Sequence, residues 1–111
     1  MECMNDVVMV MTTSDSAGHA DELARLLVEQ RLAACVQVLA PVRSTYRWHG
    51  EVEQADEHLL LVKTTQARVA QVSDAIREHH TYELPEITIA ELHGGDDLYL
   101  AWVRQSVAAS A

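Results

Sequence analysis

Residues 42–65 read VRSTYRWHGEVEQADEHLLLVKTT, and this stretch decides the fold. Val42, Ser44, Tyr46 and Trp48 recur every second residue, with Arg43, Thr45 and Arg47 between them. A period of two is that of an extended strand, whose side chains alternate between faces. His49-Gly50 is the only punctuation before the next extended run, and glycine supplies the positive φ that a tight hairpin needs. The return strand, Glu51 to Thr65, is polar in its first half and apolar at Leu59-Leu60-Leu61-Val62. A hairpin of about fifteen residues a side is far longer than the usual five or six. It is expected to project from its own domain as an arm, over Tyr46 to Glu53, and to pair with a neighbour.

Upstream, Ala34 to Trp48 forms one long β segment interrupted at Pro41, which lacks an N–H and marks a bend or bulge. Asp6 to Thr13 carries the apolar run Val7 to Met11 and reads as a strand covered on both sides, or on one side plus a partner chain. Between them, Leu23, Leu26 and Leu27 fall at helical spacing from Ala20 to about Arg31–Ala33. Ser14, Asp15 and Ser16 offer caps, and Gly18 delays the start. Downstream, Val69, Val72 and Ile76 stripe a helix over Gln66 to His79. Pro85 closes a loop, Ile87 to Leu92 gives the last strand, and Gly94-Gly95 ends it. Asp96 or Asp97 caps a short helix carrying Leu98, Leu100, Trp102, Val103 and Val107, before a frayed tail from Ala108 to Ala111.

The order strand–helix–strand–strand–helix–strand, plus one helix, is the split βαβ arrangement. The predicted fold is α+β and ferredoxin-like, a four-stranded antiparallel sheet with helices on one face, in a single domain over residues 1–111. Little chain remains to cover the other sheet face, so self-association is its expected cover.

Composition narrows the function classes. The 111 residues carry 8 basic against 17 acidic side chains, a net charge of −9. Nucleic acid and anionic membranes are thereby excluded as main partners, since both require clustered positive charge. The longest apolar runs fall far short of a membrane span. The two cysteines, Cys3 and Cys35, make no disulfide framework, and a reducing cytoplasm is the expected compartment. No Gly-rich phosphate loop, Cys-x-x-Cys, His-Glu-x-x-His or Gly-x-Ser-x-Gly is present, so no catalytic residue is assigned.

The densest polar stretch is His79-His80-Thr81-Tyr82-Glu83-Leu84-Pro85-Glu86. Imidazoles and carboxylates are ligands for a borderline divalent cation, although neighbours on an extended loop point apart. In the alternative reading His79 faces water, His80 bonds the backbone and Tyr82 covers the core. Cys35 is either a small packed hydrophobe or a soft ligand completed by another subunit. Lys63 is the only lysine, at the end of an apolar strand. The aromatics are Tyr46, Trp48, Tyr82, Tyr99 and Trp102 with no Phe, a set that suits interfaces.

Five blocks in order resemble the CutA divalent-ion tolerance proteins: Arg31-Leu-Ala-Ala-Cys35-Val-Gln, Tyr46-Arg-Trp48-His-Gly50-Glu51, Glu57-His-Leu-Leu-Leu-Val-Lys63-Thr64, His80-Thr-Tyr82-Glu83-Leu-Pro85-Glu86-Ile87 and Tyr99-Leu-Ala-Trp102. Thr81 replaces a usual proline and Gln37 a common asparagine. The resemblance implies a cytoplasmic homotrimer similar in architecture to PII signalling proteins, without catalysis, linked to tolerance of copper and other divalent cations. Its inter-subunit cleft would be lined by Cys35, Glu57, Lys63, His80, Tyr82 and Glu86, with Trp48 and Trp102 nearby. Cys35, His80 and Glu86 would be the metal contacts, for copper or another divalent cation bound weakly. Glu57, Lys63, Tyr82, Trp48 and Trp102 would serve a small-molecule ligand. Lys63 repels a bare cation, so an anionic ligand or a salt bridge to Glu57 is expected beside it.

Overall fold

A computed structural model of the chain describes residues 6–39 and 41–108. Cys3 and the expected frayed tail beyond Ala108 lie outside the described residues. The elements run β1 (Val7–Ser14), α1 (Ala17–Glu29), β2 (Cys35–Val38), β3 (Val42–Trp48), β4 (Glu51–Thr65), α2 (Val69–His79), β5 (Thr88–Glu91) and α3 (Asp97–Val107). A single 3₁₀ turn, Gln66–Arg68, leads into α2, where the sequence predicts a helix from the outset. The sheet is antiparallel in the order β2-β4-β1-β5, with β3 paired to the first half of β4. The fold is α+β and ferredoxin-like, with α1 and α2 on one face.

Alternation along the strands sorts the two faces. Val10, Leu60 and Val62 are fully buried and pack with Leu23 and Leu27 of α1 and Val72 and Ile76 of α2. Burying such side chains contributes roughly 1.5–3 kcal/mol each. Met9, Met11, Leu59 and Leu61 have the opposite parity and remain only partly buried. The third helix supplies a smaller cluster, Leu100, Val103 and Val107 against Val7 and Ala34. It therefore covers the Val7 end of the sheet and leaves the methionine–leucine region open.

Several expectations need correction. α1 begins at Ala17 rather than Ala20, because the Ser16 side chain accepts from the His19 N–H and caps the helix despite Gly18. It stops at Glu29, followed by Arg31 in a left-handed conformation at φ 59°. The sheet has five strands rather than four, because Pro41 separates β2 from β3. The hairpin is close to its predicted length, since β4 spans Glu51–Thr65 and pairs with β3 from Trp48–Glu51 to Val42–Glu57 and with β2 from Val38–Leu60 to Cys35–Lys63, but only the β3 part, seven residues a side, forms the arm. The second half of β4 belongs to the main sheet, between β1 and β2. The arm still projects. The long axis is 48 Å and the radius of gyration 15.0 Å, against about 13 Å for a compact domain of this length. His49 and Gly50 both have positive φ, 50° and 81°, the pattern of a type I′ turn.

Candidate ligand groove at the root of the arm

The groove forms where β3 and β4 leave the main sheet and the loop after α2 folds back across them. Its volume is about 710 Å³. Ser44, Tyr46 and Trp48 line one wall, as their shared strand face requires. Tyr82, Leu84 and Pro85 form the facing wall, and Glu57 lies at the base.

Local hydrogen bonds fix the loop. His80 Nε2 donates to the Thr13 carbonyl over 2.6 Å, while its Nδ1 accepts from the Tyr82 N–H at 3.0 Å. Both ring nitrogens are thus engaged, one donating and one accepting. His19 adds a second tie: its Nδ1 lies 2.7 Å from Ser14 Oγ and its Nε2 donates to the His79 carbonyl at 2.7 Å. The His19 and His80 rings meet edge to face at 4.9 Å. His79 itself is exposed. The loop therefore follows the backbone-bonded reading rather than the converging-ligand one.

Tyr82 does not cover the core. Its hydroxyl donates to Glu57 Oε2 over 2.7 Å. Glu57 is only 8% exposed. Burial works to raise its carboxyl pKa, but hydrogen bonds from the Ser44, Tyr82 and Thr13 hydroxyls prevail, with a smaller electrostatic contribution from His80, and hold it below its ordinary value. Burial, then Glu57 as hydrogen-bond partner and charge, push the Tyr82 phenol well above its own. A charged carboxylate and a neutral phenol thus share the floor of the groove at neutral pH.

Of the eight residues singled out from sequence, the groove gathers Glu57, Tyr82, Trp48 and Glu86 along its lining. His80 stands behind it as a support. Cys35 and Lys63 are elsewhere, opposite one another on β2 and β4. Lys63 Nζ donates to Gln37 Oε1 at 2.8 Å, and no ion pair between Lys63 and Glu57 occurs among the described residues. They lie six positions apart on β4, which separates them by about 20 Å. Trp102 is on α3, half exposed beside Tyr99 at a ring separation of 5.5 Å. Burial, then the nearby Cys35, push the Tyr99 phenol up. The Cys35 thiol is partly exposed rather than sealed.

The described residues of this chain do not fit a resident metal ion. Among the described residues no group of three or more His, Cys, Asp and Glu side chains could hold one. Cys35 pairs through Lys63 with Met9, whereas His80 rests on Thr13, four residues further along β1 or about 14 Å away. Sequence reasoning missed His19, Ser14, Thr13 and Ser44, which position the loop and Glu57. Only the hydroxyl-rich run Thr12 to Ser16 hinted at such a role.

The profile of the CutA1 divalent ion tolerance protein family matches residues 8–106. The chain belongs to this family. A divalent-cation tolerance protein CutA from Thermus thermophilus is 39% identical over 103 residues, covering 93% of this chain and 98% of that one. The chloroplastic CutA protein of Arabidopsis thaliana is 35% identical over 90% of this chain, which spans only 54% of its length. The crystal structure of CutA from Xylella fastidiosa superposes with a TM-score of 0.89 at 35% identity, covering 92% of this chain and 98% of that one. CutA proteins are small and non-catalytic, and this member is non-enzymatic. Among the described residues, no helix is long and apolar enough to cross a membrane.

Proposed function

We propose that the chain acts in divalent cation tolerance or response as a homotrimer, binding a metal ion or small ligand where subunits meet. The cation theme comes from relatives such as the Thermus protein, which is named for divalent-cation tolerance. The observation that carries the assembly is the sheet face of Met9, Met11, Leu59 and Leu61, which its own helices leave partly exposed. Beside it stands an arm whose tip holds Trp48 and Val52 in solvent. Burying both against copies of the same chain removes apolar area from water and closes exposed strand edges. The expected compartment is the cytoplasm, where Cys35 stays reduced.

Because one subunit lacks a ligand cluster, metal binding in this reading needs a second subunit to complete it. Cys35 leads as a partly exposed thiol. Glu86 is exposed, and its Oε2 accepts from the Thr88 hydroxyl at 3.0 Å. His80 contributes a ring nitrogen only by releasing Thr13 or Tyr82. A thiolate-led site favours copper over magnesium or calcium, whose shells require several oxygens. Affinity is modest and rises with pH, since the ligands shed protons on binding. Calorimetric titration of copper into the parent, Cys35→Ser and a His49/His58/His79→Ala triple variant tests this. Binding that falls with the cysteine change and survives the triple change supports the site; the reverse pattern overturns it.

A further inference from the structure

The sheet face that α1 and α2 leave open carries its two charges at opposite ends. Odd-numbered residues of β4 share that face, so Glu57, Leu59, Leu61 and Lys63 follow one another along it. Strand register sets Met9 and Cys35 beside Lys63, and Met11 and Gln37 beside Leu61. Among the described strand residues of this face from Glu57 onward, only Glu57 and Lys63 are charged. A separation of about 20 Å keeps them from meeting within one chain.

Each is left incomplete by its own chain. Glu57 is buried and accepts from the Ser44, Tyr82 and Thr13 hydroxyls. A carboxylate has about four acceptor positions, so one remains, and Glu57 lines the groove. Its three partners are neutral, and none of the groove's lining residues is Lys, Arg or His, while Asp15, Glu83 and Glu86 add further negative charge. At the other end of the face, the Lys63 ammonium spends one of its three donors on Gln37 Oε1 at 2.8 Å. It meets no carboxylate among the described residues.

The assembly proposed above buries this face. Covering Lys63 with apolar surface and a single amide would desolvate an unpaired ammonium, which is strongly unfavourable. In a closed ring of identical subunits the interface is heterologous, so each chain sets one surface against a different surface of the next. That geometry can bring the Lys63 end of one face to the Glu57 end of its neighbour's. Glu51 and Glu53 of the arm are already in water and gain little from an ammonium, whereas Glu57 is desolvated and lacks a cation.

We infer that Lys63 of one subunit enters the groove of the next and pairs with Glu57, so that each groove is completed by a residue its own chain cannot place there. This rests on the homotrimer proposed above and deepens it: the neighbouring chain supplies the groove's cation. The same apposition carries Cys35, opposite Lys63 on β2, toward the neighbour's His80–Glu86 loop, as a metal site shared between subunits requires.

A double-mutant cycle on assembly tests the inference. Residues about 20 Å apart in one chain act independently, so coupling between Lys63 and Glu57 reads contact between chains. Lys63→Met and Glu57→Gln should each raise the concentration at which the trimer dissociates by at least about tenfold, and the double variant no further. Effects that multiply in the double variant would overturn the inference. Carbodiimide cross-linking of the parent gives a second reading that needs no variant, since Lys63 is the only lysine and its coupled carboxylate is identified from one branched peptide. In trimers mixed from unlabelled and isotope-labelled chains, the expected product joins Lys63 of one chain to Glu57 of another. Lys63 joined to a different carboxylate, joined only within its own chain, or joined to none would overturn the inference. Light scattering on the same samples keeps the outcomes separate. A monomer contradicts the homotrimer and this inference together, whereas a trimer with independent effects contradicts this inference alone.

Discussion

The Tyr82 hydroxyl donates to Glu57 Oε2 over 2.7 Å, joining the loop after α2 to the point on β4 where the arm leaves the sheet. This one bond ties together two segments twenty-five residues apart in sequence and sets the groove's floor. A hydrogen bond to a charged partner contributes about 1.5–3 kcal/mol.

Its pH dependence follows from the two shifts. The Glu57 carboxyl is lowered from 4.5, so its contribution is whole above that value and is lost as pH falls through the lower folded value. The Tyr82 phenol is raised from 10.0, so its contribution is whole below that value and is lost as pH rises toward the folded one. Denaturant titrations across pH should show a plateau between these limits. Tyr82→Phe should lower the plateau by about 2 kcal/mol, and Glu57→Gln should flatten the acid limb. An acid limb unchanged by Glu57→Gln would contradict the assignment.

Thr12 is fully buried, and its Oγ1 has no hydrogen-bond partner among the described residues. Leaving a buried hydroxyl unsatisfied costs about 1–3 kcal/mol, and an apolar replacement of the same shape removes that cost. Thr12→Val should therefore stabilise the protein by about 1 kcal/mol, seen as a higher denaturation midpoint with an unchanged slope. A lower midpoint would mean that the hydroxyl is satisfied in solution.

Gly50 turns the arm at φ 81°, and a Cβ added there meets no atom within 4 Å. The penalty for Gly50→Ala is thus one of backbone conformation, about 1–2 kcal/mol. Gly50→Asn should cost much less, since asparagine tolerates the left-handed region. Equal losses in the two variants would show that the tip is held by contacts and not by its turn.

The hairpin was legible because its signals are local: period-two alternation from Val42 to Trp48 and one glycine after His49. β4 matches its expected limits for the same reason. The start of α1 was misplaced because a cap hydrogen bond from His19 to Ser16 outweighs the low helix propensity of Gly18. The site was legible only in part. Trp48, Glu57, Tyr82 and Glu86 converge through tertiary packing at the arm's root, whereas Cys35 and Lys63 share another region of the sheet. Motif blocks mark all of them alike and carry no information about which side chains meet. The commitment of both His80 nitrogens to Thr13 and Tyr82 is likewise a three-dimensional fact.

The central claim is that the open sheet face and the arm are completed by copies of the same chain. Multi-angle light scattering at low micromolar concentration tests it most directly. The account predicts three times the 12.3 kDa of one chain, about 37 kDa. A mass of 12.3 kDa would contradict it, because Met9, Met11, Leu59 and Leu61 would then face water in the native state.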